Sequence, residues 1–278
     1  MMTTNNIDAE LGIYVHIPFC ISKCIYCGFY SAAGSPSTEE ESSYVNLLVQ
    51  EIESAKRPDR KVDSIFFGGG TPSTLKADSL IEVLDAIRDF FDVTDDCEIT
   101  LEANPGAVSE AYLSKLHDAG FNRLSMGCQS FSDDVLKTLG RIHRSNDARE
   151  SFAAARAAGF DNINLDLMFS VPGADEDVWQ DTLDQMLELS PEHISFYSLQ
   201  IEEETPLYDM YKNGVFAEVS DEADRKMYHR AIECLKFSGY EHYEISNAAK
   251  PGFECRHNLK YWSLSDYLGF GKSASSYI

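Results

Sequence analysis

Short apolar runs alternate with amphipathic ones along most of this chain, and that alternation constrains the fold more than any other feature. Residues 11–16, 64–67, 98–103, 124–129, 163–169 and 193–201 read as strands. Between them, 38–55 carries Tyr44, Leu47, Leu48 and Ile52 at helical spacing. Residues 77–91, 109–119, 146–158, 176–189 and 221–237 read as further helices, with Gly120, Gly159 and Gly239 placed as C-caps. Strand–helix alternation predicts a parallel sheet with right-handed crossovers. Six units predict an α/β fold, a partial (β/α)6 barrel over 11–240. A polar tail at 1–10 precedes it, and the start of an incomplete C-terminal region at 241–278 follows. In such barrels reactive groups gather at the C-terminal ends of the strands. Cys20 follows the first strand and Gly68 the second; Glu102 and Gln129 end the third and fourth. Asp166 lies in the fifth and Gln200 near the end of the sixth. One polar residue per strand end is hard to explain as packing.

Cys20, Cys24 and Cys27 are spaced C-x3-C-x2-C, with Tyr26 just before the last. Thiolates are the soft ligands that iron–sulfur clusters take. Three of them on a [4Fe–4S] cluster leave one iron open to a substrate or cofactor. Structural zinc is the competing reading. It wants four ligands, often as two close pairs, and Cys97, Cys128, Cys234 and Cys255 lie far apart. His16 could be a fourth ligand, although Ile17-Pro18 reads as a strand end. The remaining cysteines read as small buried apolar groups.

The first ten residues lack the apolar core of a signal peptide. Seven cysteines without secretion fit a reducing compartment, so a cytoplasmic location is expected. No apolar run approaches bilayer length, which leaves peripheral membrane association as the only membrane contact expected. Forty-six acidic against 23 basic residues give a net charge of −23, which repels phosphate backbones and argues against nucleic acid.

Further motifs sit at the strand ends. Phe66-Phe67-Gly68-Gly69-Gly70-Thr71-Pro72 runs a strand into three glycines, either a tight turn or a place where a ligand meets backbone. Glu102 is either a turn-stabilising acid or a ligand contact. Gln129 offers an amide. Arg141 can grip a carboxylate or form a surface salt bridge. Asp166 lies in an apolar strand, where an unpaired carboxylate is costly, and Arg141 is a candidate partner. His257 is either a satisfied turn histidine or an iron ligand. Tyr261 and Trp262 either flank a flat macrocycle or pack in the core.

Taken together these motifs resemble the radical S-adenosylmethionine (SAM) superfamily, in the branch of the oxygen-independent coproporphyrinogen III dehydrogenases and the haem chaperones. The resemblance covers almost the whole chain. It implies a radical SAM barrel with a [4Fe–4S] cluster on Cys20, Cys24 and Cys27. The open iron would chelate the amino and carboxylate groups of SAM, and an electron would cleave the sulfonium to a 5′-deoxyadenosyl radical. It implies SAM contacts at Tyr14, Gly69, Gly70, Thr71, Glu102, Gln129, Arg141 and Asp166, with Glu102 toward a ribose hydroxyl. Phe29 stands where the dehydrogenases carry a further cysteine. The run His257-Asn258-Leu259-Lys260-Tyr261-Trp262 matches the HNxxYW signature of the chaperones, and Glu244-Ile245-Ser246-Asn247 points the same way. The resemblance therefore implies haem as a ligand, His257 as its iron contact, and haem-receiving proteins as partners. Oxidative decarboxylation of coproporphyrinogen III, another radical SAM reaction, and a zinc-stabilised binding module are the rivals. Gly28, Tyr30, Cys128 and the run Lys272-Ser273-Ala274-Ser275 depart from the family pattern. Members also continue beyond the position of Ile278, in a domain expected to cover the barrel mouth.

Overall fold

The computed structural model describes residues 10–278, so the polar tail expected at the start falls, except for Glu10, outside the described residues. Six parallel strands pair in chain order: β1 (Leu11–Ile17), β2 (Arg57–Gly69), β3 (Phe91–Ala103), β4 (Arg123–Gln129), β5 (Asn162–Phe169) and β6 (His193–Ser198). A hairpin of β7 (Glu241–Glu244) and β8 (Asn247–Ala249) continues the sheet antiparallel beyond β6, and β9 (Tyr267–Phe270) joins the free side of β1 in parallel. The sheet is open, as a partial barrel requires. β2 and β3 begin well before the expected apolar stretches. Their openings, Arg57 to Lys61 and Asp92 to Asp95, are mostly polar and pair through register shifts, so backbone bonding extends them without a periodic apolar signal.

The helices are α1 (Thr38–Ser54), α2 (Ala77–Phe90), α3 (Glu110–Asp118), α4 (Asp133–Thr138), α5 (Ser145–Ala157), α6 (Glu176–Leu189), α7 (Pro206–Lys212), α8 (Asp221–Phe237) and α9 (Arg256–Trp262). Their starts follow local chemistry. Ser37, Ser109, Ser132, Asp175, Thr205 and Ser220 each accept a bond from a first-turn amide, and Ser37 closes a capping box with Glu40.

Through their central residues the strands alternate between two faces. One face is apolar: Ile13 and Val15, Ile65 and Phe67, Ile99 and Leu101, Leu124 and Met126, Ile163 and Leu165, Ile194 and Phe196. It packs on the helices through residues such as Leu48, Leu84, Leu116, Phe152, Met186 and Leu235. Cys97 and Cys128 belong to this core. The other face carries Tyr14, Ser64, Glu98, Glu102, Arg123, Ser125, Asn164, Asp166, His193 and Ser195. An exclusively helix-covered parallel sheet would read as apolar on both faces; this one curves around a polar interior. Asn164 ties three strands there, donating to Ser125 Oγ at 2.8 Å and bonding His193 Nδ1 at 2.6 Å.

α9 closes the interior at the N-terminal ends of the strands. The buried Glu98 carboxylate accepts from the backbone amides of Arg256 (3.1 Å) and His257 (3.3 Å), and Lys260 pairs with Asp63 at 2.6 Å. Gly12 permits this docking: a Cβ there would stand 2.7 Å from Lys260 Cδ.

Candidate functional site

Beyond β1 the chain loops across the opposite, C-terminal end. A short parallel ladder of Phe19–Cys20 with Ala32–Ala33 clips the base of this excursion. Cys24 and Cys27 lie on it, in a turn closed by Cys27 N–H to Cys24 O at 3.2 Å. The glycine run then supports it from β2. Gly70 N–H bonds to Ile17 O at 2.8 Å, Thr71 N–H to Phe19 O at 2.7 Å, and Gly69 N–H to Glu102 Oε2 at 3.1 Å. All three amides are thereby used internally, so a ligand amine would meet only the carbonyl side of this turn. Gly70 must be glycine, because a Cβ would lie 2.7 Å from Phe19 O.

The loop and the strand ends enclose a cavity of about 680 Å³. Cys20, Cys24, Cys27, Gly69, Gly70, Thr71, Glu102, Gln129, Arg141 and Asp166 all line it. Of the residues named from the sequence, Tyr14 and His257 are elsewhere. Tyr14 faces an adjoining cavity of about 340 Å³ that meets the first at Phe29, Gly69 and Glu102. His257 does not reach either cavity. It is 1% exposed, with Nδ1 bonded to Ser64 Oγ at 3.2 Å and Nε2 to Tyr261 OH at 2.9 Å. The one lone pair of this imidazole already accepts a hydrogen bond from a core hydroxyl and faces neither cavity, so the expected iron contact at His257 is corrected to a core role. The pairing of Asp166 with Arg141 is corrected too. Asp166 Oδ1 accepts from Asn164 Nδ2 at 2.7 Å, while Arg141 bonds Asn104 Oδ1, the Gly127 carbonyl and Cys24 Sγ.

The electrostatics of the cavity follow from burial. Burial and then the charge of Asp166 push the Glu102 carboxyl up to about 8, against an opposing bond from Gly69 N–H. Burial also raises Asp166, eased by Asn164, Ser195 and the charges of Arg123 and Arg141. Two carboxyls thus share one cavity with their charged forms disfavoured, a setting suited to exchanging hydrogen bonds with ligand hydroxyls. Gln129, at φ 67°, turns its Oε1 to accept from Tyr197 OH at 3.1 Å.

The thiols fit a cluster. Thr71 Oγ1 lies 3.6 Å from Cys20 Sγ and Arg141 Nη1 3.3 Å from Cys24 Sγ, donors facing the atoms that carry charge as metal-bound thiolates. Among the described residues no three His, Cys, Asp or Glu side chains converge as ligands of a single ion. A four-iron cluster makes no such demand, since each cysteine takes a different iron. His16, the alternative fourth ligand, is held instead by Tyr14 OH and the Tyr30 carbonyl.

Asn104, Ser125, Ser195, Tyr197 and Ser198 line the cavity without having been singled out from the sequence. The readable signal for the serines is the alternation of polar residues inside β4 and β6; Asn104, on the turn after β3, carries no such signal.

The Radical SAM superfamily model matches residues 14–186. The chain is 41% identical to the Heme chaperone HemW of Haemophilus influenzae over 270 residues, 95% of this chain and 69% of that protein. It is 41% identical to the Heme chaperone HemW of Bacillus subtilis over 272 residues, 95% of this chain and 70% of the relative. Among solved structures, the coproporphyrinogen III oxidase HemN of Escherichia coli, a radical SAM enzyme, superposes with a TM-score of 0.85 at 26% identity, covering 99% of this chain and 66% of that one.

Proposed function

Because the chain belongs to the radical SAM superfamily and, within it, to the family of the heme chaperone HemW, we propose that it carries haem to haem-receiving proteins and binds a [4Fe–4S] cluster and SAM at the barrel mouth. The observation that carries the cluster reading is the convergence of Cys20, Cys24 and Cys27 on one cavity with Glu102, Arg141 and Asp166. Cys20, Cys24 and Cys27 would hold the cluster. Gly69, Gly70, Thr71, Glu102, Gln129, Arg141 and Asp166 would contact SAM, and Tyr14 would border it from the adjoining cavity. When bound, the cluster and SAM together supply one-electron chemistry that no protein side chain provides. The chain's own contribution is placement: the cysteine excursion fixes the thiolates and α9 closes the interior from below.

The haem reading is supported by the relatives' identity as heme chaperones and by 41% identity over 95% of the chain. Phe29, in the position where a dehydrogenase would carry a cysteine, is 72% exposed at the rim. A cytoplasmic location and peripheral membrane association remain part of the proposal. Among the described residues no helix is long and apolar enough to cross a membrane. Ile21, Phe29 and Ile142 present exposed apolar surface near the mouth.

The test is anaerobic reconstitution with iron and sulfide, followed by haem titration and an assay for coproporphyrinogen III conversion. An oxygen-labile absorbance lost on changing Cys20, Cys24 or Cys27 to Ala but kept in Cys234→Ala supports the cluster site. Saturable haem binding without conversion of the porphyrinogen supports the chaperone reading, and conversion would replace it with the enzyme.

A further inference from the structure

We propose that Asn104 is a positioning residue for the cluster thiolates, one carboxamide fixing the hydrogen-bond donors that face two of the three cysteine sulfurs. The inference rests on the cluster reading above.

Asn104 lies on the turn after β3, between the cysteine excursion and Arg141. Its Nδ2 donates to Thr71 Oγ1 at 2.8 Å, and its Oδ1 accepts from Arg141 Nη2 at 2.6 Å. Arg141 Nη2 also donates to the Gly127 carbonyl at 2.5 Å, which leaves Nη1 aimed at Cys24 Sγ, 3.3 Å away. Thr71 Oγ1 stands 3.6 Å from Cys20 Sγ. The result is an unbroken chain: Cys20, Thr71, Asn104, Arg141, Cys24.

Chemistry gives this chain one direction. A guanidinium only donates, so Asn104 must turn its oxygen to Arg141. Its nitrogen is then left for Thr71. A hydroxyl that accepts there has its single proton free for another acceptor, and Cys20 Sγ is in place to take it. Cys27 lies outside the relay and meets a backbone N–H of Phe29. Asn104 touches no sulfur itself; it acts through Thr71 and Arg141. Hydrogen bonds to cluster sulfurs help set the reduction potential, and partners one step removed from the ligands orient that set. Donors on sulfur stabilise the reduced, more negative cluster and raise its potential.

The test compares reduction potentials of reconstituted wild type, Asn104→Ala, Thr71→Val and Thr71→Ser by anaerobic titration, with apo-protein melting as a control for folding. Asn104→Ala frees two donors and should shift the potential furthest negative. Thr71→Val should shift it less, and Thr71→Ser, which keeps the hydroxyl, should stay at the wild-type value. A loaded Asn104→Ala at the wild-type potential overturns the inference, as does Thr71→Ser behaving like Thr71→Val. Where Asn104→Ala melts like wild type yet loads no cluster, Asn104→Ser replaces it, since its short hydroxyl cannot span both partners. A wild-type potential there overturns the inference, and loss of the cluster from a folded chain in both variants supports it. A wild-type chain that takes up no iron or sulfide refutes the cluster reading itself.

Discussion

At the scale of single residues, Glu102 gives the plainest prediction. Its carboxyl sits at about 8 in the folded chain against an ordinary 4.5, through burial and the neighbouring Asp166. Between those values the folded chain holds a proton that the unfolded chain has released. Stability of the apo protein therefore falls as pH rises through that window. Glu102→Gln removes this dependence. The variant should melt above wild type at about pH 8 and alongside it at about pH 5, while the contribution of Asp166 stays in both. Melting curves across that range check it, and a constant gap at both ends would contradict the assignment. His257 gives a second. Replacing it with Ala leaves Ser64 Oγ and Tyr261 OH without their partner and opens a void, costing roughly 2–4 kcal/mol. Haem bound per folded molecule should be unchanged, as measured by titration normalised to the folded fraction. A weakened haem affinity at unchanged stability would restore the iron contact. These two residues show the reach of sequence reading. Glu102 was legible because a carboxylate at a strand end has few packing roles. His257 was misread because a short signature says which side chains occur together, and says nothing of whether a ring points into a cavity or into a core.

At the scale of elements, the cysteine excursion and the glycine turn act as one unit. The Ile17 and Phe19 carbonyls that accept from Gly70 and Thr71 are the atoms a Cβ on Gly70 would strike, at 2.9 and 2.7 Å. Gly70→Ala should therefore push the turn off the loop, costing on the order of 1–3 kcal/mol and the cluster with it. Gly173→Ala is the control. Its φ of 85° also favours glycine, but no atom lies within 4 Å of a Cβ there, so it should cost about 1 kcal/mol and leave the cluster in place. Denaturation midpoints and iron content distinguish the two, and equal effects would contradict the coupling. The six strands and their neighbouring helices were readable because apolar periodicity reports burial directly. The polar openings of β2 and β3, and the seven-residue α9, were not. Backbone pairing extends the first two, and the third is placed by Glu98, Ser64 and Asp63, contacts distant in sequence.

At the scale of the whole molecule, an open sheet with an apolar outer face and a polar inner one is stoppered at one end by α9 and left open at the other, where the three cysteines stand. The sequence could say that polar residues end successive strands. It could not say that they meet, because closure depends on sheet curvature and on an element from the far end of the chain. That convergence underlies the central claim, a cluster with one iron open to SAM. The direct measurement is the electron paramagnetic resonance spectrum of the anaerobically reconstituted, reduced chain with and without SAM, alongside its metal content. The account predicts about four irons per chain and a spectrum that SAM alters. Stoichiometric zinc without iron, or a reduced-cluster spectrum indifferent to SAM, would contradict it.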